Sequence, residues 1–233
     1  MTVEITPIHG IGDIGPGDDL AEIIVSALKA AGFSLRDGDV LVVTHKAVSK
    51  AENAIVRFDD DEDERRRIVA DQSAAVLRRR GDLVISETHH GLICANAGVD
   101  RSNMPEGWLA LLPRDPDRSA HRLRTRIQQA TGSKIAVVIS DTFGRPWRRG
   151  LTDVAIGIAG LPALIDYRGT TDTFGRTLTV TEVALVDEVA AAADLVMGKA
   201  KGVPVAVIRG LEFPAEEGRA TDLIRPPEED MFR

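Results

Sequence analysis

Two short stretches carry the densest reactive chemistry in this chain of 233 residues. In the first, the apolar run KIAVVIS (134–140) leads into Asp141 and Thr142, and then into Arg145, Arg148 and Arg149. A carboxylate followed by a hydroxyl offers hard oxygen donors of the kind that Mg²⁺ and Mn²⁺ prefer. Guanidinium forks pair with phosphate or carboxylate. The same residues would also serve as a capped turn with solvated arginines. In the second stretch, ANAGVDRSN (95–103), Asp100 offers a metal carboxylate and Asn103 an amide for a nucleotide; an Asx-type turn is the plainer use of both. Just before it, ETHHG supplies His89 and His90, as proton carriers, metal ligands or ordinary loop histidines.

Three further segments add cations and backbone donors. THKAVSKAE (44–52) places Lys46 and Lys50 near a strand end, where they would neutralise phosphates or simply open a helix. The glycine-rich turn 10–17 allows close backbone approach to an anion. It is neither GxxxxGK[ST] nor a complete GxGxxG. MGKAKGVP (197–204) reads as a helix cap and turn, or as a second nucleotide-facing loop. Carboxylates on loops, lysines, arginines and glycine turns without a standard nucleotide motif suit phosphoryl chemistry, in which cations hold the phosphates.

These segments need elements to hold them. Residues 3–8 alternate and predict an opening strand. Asp18 or Asp19 caps a helix with Leu20, Ile23, Ile24, Ala27 and Leu28 on one face. Residues 39–44 predict a buried strand, and the acidic-then-basic block 59–67 opens a helix that continues to Arg80 and stops at Gly81. Residues 83–87 form a strand, 115–131 a helix ended by Gly132, and 134–140 the clearest buried strand. Weaker strands follow at 153–159 and 163–167, then an alanine-rich helix at 183–196 buried on most sides, then a last strand at 203–209. The tail around Pro226 and Pro227 has little structure of its own. The irregular alternation gives an α/β or α+β fold, a mixed sheet with flanking helices that is not of the P-loop kind.

Bulk properties narrow the classes. A net charge of −7 gives no reason to expect nucleic-acid binding. The single cysteine, Cys94, excludes an internal disulfide and a cysteine-rich metal site, and suits a reducing, cytoplasmic setting. No apolar run approaches the ~20 residues that span a bilayer, and the start has no signal-peptide pattern.

The chain resembles the coenzyme F420 γ-glutamyl ligases, both the stand-alone archaeal type and the N-terminal domain of the mycobacterial two-domain type. The segments that carry the resemblance are GDDLAEII, VVTHKAVSKAEN, ETHHGLICANAGVDRSN, ISDTFGRPWRRGLTDVAIGIAG, DYRGTTDTFGRTLTVTEVALVDEVAAAADLVMGKA and VPVAVIRG, in order from Gly17 to Arg209. The resemblance implies a homodimeric ligase that joins L-glutamate to the F420 precursor with GTP and two divalent ions, Mg²⁺ or Mn²⁺, and K⁺ as an accessory candidate. It implies Asp100, Asp141 and Thr142 as metal ligands. The implied GTP contacts are Ile11, Gly12, Asp13, Ile14, His45, Lys50, Asn103 and the loop of Met197, Gly198, Lys199, Ala200, Lys201, Gly202, Val203 and Pro204. His45 stands where relatives often carry serine, and Lys199 where some carry an acidic metal ligand. Lys50 with one of Arg145, Arg148 or Arg149 is expected to stabilise the transferring phosphoryl group, and His90 is the candidate base. Residues 1–233 are expected to form one ligase domain, with room for two intertwined subdomains and without the C-terminal flavin-binding domain of the two-domain relatives. The rival readings are a hydrolytic or non-catalytic GTP- or coenzyme-binding protein of the same fold, and an amide ligase for another carboxylate.

Overall fold

The computed structural model describes residues 2–231. In chain order the elements are β1 (Glu4–Pro7), α1 (Leu20–Ala30), β2 (Val40–Thr44), α2 (His45–Ala51), β3 (Ile55–Arg57), α3 (Glu62–Asp71), β4 (Ser73–Arg80), β5 (Leu83–Thr88) and β6 (Ile93–Ala95). They continue with β7 (Trp108–Ala110), α4 (Pro116–Thr131), β8 (Ala136–Arg145), β9 (Arg148–Ala159), β10 (Ile165–Asp166), β11 (Glu182–Val183), α5 (Leu185–Met197) and β12 (Val205–Arg209).

The apolar runs of β2 and β8 become the middle of a five-stranded sheet ordered β1-β12-β2-β8-β9. β2 and β8 run parallel, and the other pairs in this sheet run antiparallel, so the sheet is mixed as expected. Continuous apolar runs, rather than alternation, mark strands covered on both faces. Leu41, Val43, Val137 and Ile139 pack toward α1, α2 and α4, while Val40, Val42, Ala136 and Val138 pack toward α5. The result is three layers, with α1, α2 and α4 on one side and α5 on the other.

Local chemistry sets the helix ends. Asp19 accepts the Glu22 N–H at the start of α1, and Asp115 accepts the Arg118 N–H at the start of α4. Gly132 ends α4 in the left-handed region (φ 78°). A smaller unit lies beside the main sheet. It consists of α3, the β3–β7 pair and the β4-β5-β6 sheet around Phe58, Val69, Val84, Val99 and Leu109.

Four expectations change. The helix anticipated from the acidic block to Arg80 is only α3, and Ser73–Arg80 is a strand. Gly81 (φ 58°) turns the chain so that β4 pairs back on β5, and tertiary pairing outweighs helix propensity in SAAVLRRR. The strand that starts with the apolar run does not stop at Ser140; β8 carries Asp141 and Thr142 within it, paired with β9. The strand expected at 163–167 shrinks to the two residues of β10. α5 is buried on one side only, and Leu195 is 78% exposed.

Candidate functional site

β2 and β8 both deliver their C-terminal ends to one edge of the sheet, where β12 begins. Ligands in open α/β sheets collect outside the carboxyl ends of the strands. Here the edge opens into a cavity of about 960 Å³, lined by residues from both faces and from five separate segments. The turn after β1 supplies Ile11, Gly12, Asp13 and Ile14. The β2–α2 junction supplies Thr44, His45, Lys46 and Lys50. The loop after β6 supplies Asp100, Ser102 and Asn103, and β8 with β9 supplies Ser140, Asp141, Thr142 and Asp153. The end of α5 and its loop supply Asp194, Met197, Gly198, Lys199, Gly202, Val203 and Pro204.

Asp141 and Thr142 follow each other on a strand and so point to opposite faces of the sheet. Between Ile139 and Ser140 the β8–β9 register slips, with Ile139 opposite Gly157 but Ser140 opposite Ala155. Such a bulge re-aims the side chains beyond it. On the α2 side, Asp141 Oδ1 lies 3.1 Å from His45 Nε2. His45 is only 2% exposed, yet neither ring nitrogen is aligned with a hydrogen-bond acceptor or donor. On the α5 side, Thr142 Oγ1 donates to Asp153 Oδ1 (2.6 Å), and Ser140 Oγ donates to Asp153 Oδ2 (3.0 Å). Lys199 Nζ donates to Asp153 Oδ1 (2.8 Å) and to Thr142 Oγ1, and lies 3.3 Å from Asp194 Oδ1. Burial opposes the Lys199 charge, but Asp153 and Asp194 outweigh it and hold its pKa above the usual lysine value.

Asp100 arrives from a constrained loop. Asn96, Ala97 and Gly98 all have φ between 51° and 72°, a conformation that costs energy at the two non-glycine positions. The backbone of Asp100 then pairs with Ala110, with N–H donating to O at 3.0 Å and 2.8 Å in the two directions. Its carboxylate accepts from Lys46 Nζ (2.7 Å) and from the Ser102 N–H (2.7 Å) and hydroxyl (2.8 Å). Burial works against ionisation of Asp100, but these donors prevail and hold its pKa below the usual value. Asn103 Nδ2 donates to the Lys199 carbonyl (3.2 Å), which ties the Asp100 loop to the loop after α5.

The structure therefore brings together Asp100, Asp141, Thr142, Lys50, His45, Asn103, Ile11, Gly12, Asp13, Ile14, Met197, Gly198, Lys199, Gly202, Val203 and Pro204. It does not bring the rest. Arg145 and Arg148 sit at the tip of the β8–β9 hairpin, where Arg145 Nη2 donates to the Arg149 carbonyl (2.9 Å). Strand rise of ~3.3 Å per residue carries that tip well beyond Asp141. His90 lines a separate cavity of about 990 Å³ with His89 and Arg114. Its Nε2 is committed to the Pro113 and Arg114 carbonyls (3.0 and 3.2 Å), so it is held away from the first cavity. Ala200 and Lys201 belong to the loop but not to the cavity lining. Sequence reasoning missed Lys46 as the partner of Asp100, and Asp153 and Asp194 altogether. Burial and the neighbouring Asp141 charge push the Cys94 thiol up to about 12, so it has no thiolate to offer.

Comparison with known proteins places the chain in a family. The family described as F420-0:Gamma-glutamyl ligase matches residues 10–210. A coenzyme F420:L-glutamate ligase of Methanothermobacter thermautotrophicus is 42% identical, and the match covers 100% of each chain. The protein of that name from Methanopyrus kandleri is 42% identical over 100% of this chain and 98% of its own. The one from Methanocaldococcus jannaschii is 39% identical over 87% and 88%. These matches show that the chain belongs to the F420-0:γ-glutamyl ligase family, enzymes that form carbon–nitrogen bonds.

Proposed function

We propose that this chain adds L-glutamate to the coenzyme F420 precursor with GTP as co-substrate, through an acyl phosphate made in the cavity at the ends of β2 and β8. The observation that carries the reading is the convergence there of Asp100, Asp141, Lys50 and the glycine-rich turn, which lie up to 130 positions apart in the chain. The family names the coenzyme and glutamate; GTP, metal and the acyl phosphate are our own reading.

The donor set fits divalent ions. Five aspartates line the cavity (Asp13, Asp100, Asp141, Asp153, Asp194) against three lysines (Lys46, Lys50, Lys199). A polyanionic nucleotide entering such a surplus of carboxylates needs added positive charge. The buried His45 ring, whose Nε2 lies 3.1 Å from Asp141 Oδ1 without an aligned hydrogen bond, is a second sign that a ligand completes this corner. Among the described residues no three of His, Cys, Asp or Glu already converge as a closed metal cluster. Sites that share their ions with substrate phosphates are built in this way, from one or two carboxylates. Asp100 and Asp141 would hold the ion, while the Thr142 hydroxyl, expected as a ligand, is turned to the other face of β8 and bonded to Asp153; Mg²⁺ or Mn²⁺ at the two aspartates would neutralise charge on the phosphates during transfer.

The chain's own residues then have defined tasks. The glycine-rich turn and the loop after α5 hold the nucleotide between them. Lys46 and Ser102 fix Asp100. Among the described residues Lys50 lies near no carboxylate at salt-bridge distance, unlike Lys46 and Lys199, and is the lysine available to the transferring phosphoryl group. A carboxylate oxygen of the precursor attacks the γ-phosphorus, the bond to the β–γ bridging oxygen breaks, and GDP leaves. The neutral amine of glutamate attacks the acyl carbon, the bond to phosphate breaks, and the amine gives up a proton as the amide forms.

We further propose a homodimer. Trp147 and Leu151 on the β8–β9 hairpin are 81% and 68% exposed, large apolar groups that a second copy would cover. Sedimentation would report the dimer. Mass spectrometry of the coenzyme after incubation with GTP, Mn²⁺ and L-glutamate tests the reaction. Masses rising by glutamyl units support it; an unchanged coenzyme with GTP intact or merely hydrolysed overturns it.

A further inference from the structure

The loop after α5 places a lysine where a bound cation would sit. Gly198 (φ 59°, ψ 174°) ends α5 and redirects the chain, and the Gly198 N–H donates to the Asp194 carbonyl (2.9 Å). Lys199 can then reach back into the sheet edge. Its ammonium meets three oxygens, namely Asp153 Oδ1 at 2.8 Å, Asp194 Oδ1 at 3.3 Å and the Thr142 hydroxyl. They come from β9, α5 and β8, so the tertiary fold assembles them.

The arrangement has the chemistry of a cation cage. Asp153 is 2% exposed, and a buried carboxylate without compensating charge is costly. Thr142 and Ser140 donate to its two oxygens but bring no charge. Two carboxylates and a hydroxyl around one point are also what a hard divalent ion takes. The backbone of Lys199 is held by Asn103, from the loop that carries Asp100. The ammonium therefore sits in the same cavity as Asp141, on the opposite face of β8.

We propose that the Lys199 ammonium is the resident cation of the Thr142–Asp153–Asp194 cage and replaces a divalent ion there. The cavity then works with one exchangeable divalent ion, at Asp100 and Asp141, and one covalently tethered cation. The filling of the cage does not depend on the ligase reading; only the task of the ammonium, facing nucleotide phosphates, rests on it.

Counting bound Mn²⁺ by electron paramagnetic resonance decides the matter, on the purified full chain with Mn²⁺ alone and again with a non-hydrolysable GTP analogue. Lys199→Glu is expected to bind one more Mn²⁺ per chain than the unmodified protein, in both conditions. Lys199→Met should gain the same ion with weaker affinity, and Lys199→Arg should keep the original count. Lys199 lies on a half-exposed loop, and should the glutamate variant fail to fold, the methionine variant makes the same comparison. Equal counts in the unmodified protein and in the folded variants would overturn the proposal. Binding of a fluorescent GTP analogue is followed separately. Its absence in the unmodified protein would refute the nucleotide reading, while the Mn²⁺ counts would still decide the cage.

Discussion

Gly98 links the packing of the core to the placement of Asp100, and its replacement by alanine makes a quantitative test. The residue has φ 72°, and a Cβ built on it would lie 2.6 to 2.9 Å from three atoms of the Leu112 side chain. Leu112 is 5% exposed and belongs to the main core, so it has little room to yield. A left-handed φ costs a non-glycine residue ~1–2 kcal/mol. Overpacking by one methyl costs a further ~1–3 kcal/mol. Gly98→Ala should therefore destabilise by ~2–5 kcal/mol in urea unfolding. Leu112→Ala alone should also destabilise, by ~2–5 kcal/mol, through the cavity it leaves. In the double variant the new methyl enters that cavity, so the two losses should not add. The expected coupling is ~1–3 kcal/mol in the favourable direction. Asp100 lies two residues beyond Gly98, so the single variant should also lose ligase turnover measured on the folded fraction, and the double variant should recover part of it. Additive losses, or a Gly98→Ala protein of unchanged stability, would refute the claim that this contact sets the loop.

Other perturbations separate site from scaffold. Asp141→Ala should abolish glutamate addition while circular dichroism and the melting transition stay close to those of the unmodified protein, because the carboxylate faces the cavity beside His45; near-normal turnover would remove Asp141 from the metal assignment. Asp39→Ala should behave in the opposite way. Asp39 is 1% exposed and paired with both Arg209 Nε (2.8 Å) and Nη2 (2.7 Å), with the guanidinium 4.8 Å from the Phe33 ring centroid. Breaking a buried pair costs ~3–5 kcal/mol, so denaturant unfolding should shift while turnover of the folded protein holds. Asp187 tests the sign of a burial effect. Burial raises its pKa against the opposing hydrogen bond from the Ala155 N–H (2.9 Å). A carboxyl raised on folding contributes most below its unfolded pKa and loses that contribution as pH rises through the folded value. Asp187→Asn should therefore gain stability relative to the unmodified protein as pH rises above the ordinary aspartate range, and a difference that stays constant as pH rises would refute the assignment.

Much of the scaffold was legible because its cause is local. VLVVT and IAVVIS are continuous apolar runs, and such runs have few uses other than strands covered on both sides. Asp19, Asp115 and Gly132 announce helix ends by the bonds they make or the φ they accept. SAAVLRRR was not legible in the same way. Its residues suit a helix, and only the β5 partner across Gly81 makes it a strand. The segments carrying Asp100, Asn103 and Lys50 could be named from residue type. Which of the cations would reach them could not, because Arg145 and Lys199 look alike in sequence. Arg145 is carried outward by strand extension, and Lys199 is folded inward by Gly198.

Asp153 shows most clearly what a linear reading lacks. In TDVAIGIA it is one polar residue ahead of an apolar strand, indistinguishable from a strand-opening aspartate. Its importance comes from pairing directly opposite Thr142 across β8 and β9, in the third pair past the register slip between Ile139 and Ser140. Had the register continued one-for-one from the Ile139–Gly157 pair, Thr142 would pair with Val154 and not with Asp153. Alternation gives β8 two functional faces within two residues, and the extra β9 residue sets which β9 side chain meets Thr142. Asp141 is presented with His45 on one face, and Thr142 with Asp153 and Lys199 on the other. A cavity at the sheet edge can then be supplied with carboxylates from both sides of one strand. No residue between 139 and 157 signals this alone; it follows from the offset between two strands, and an offset is a property of the fold.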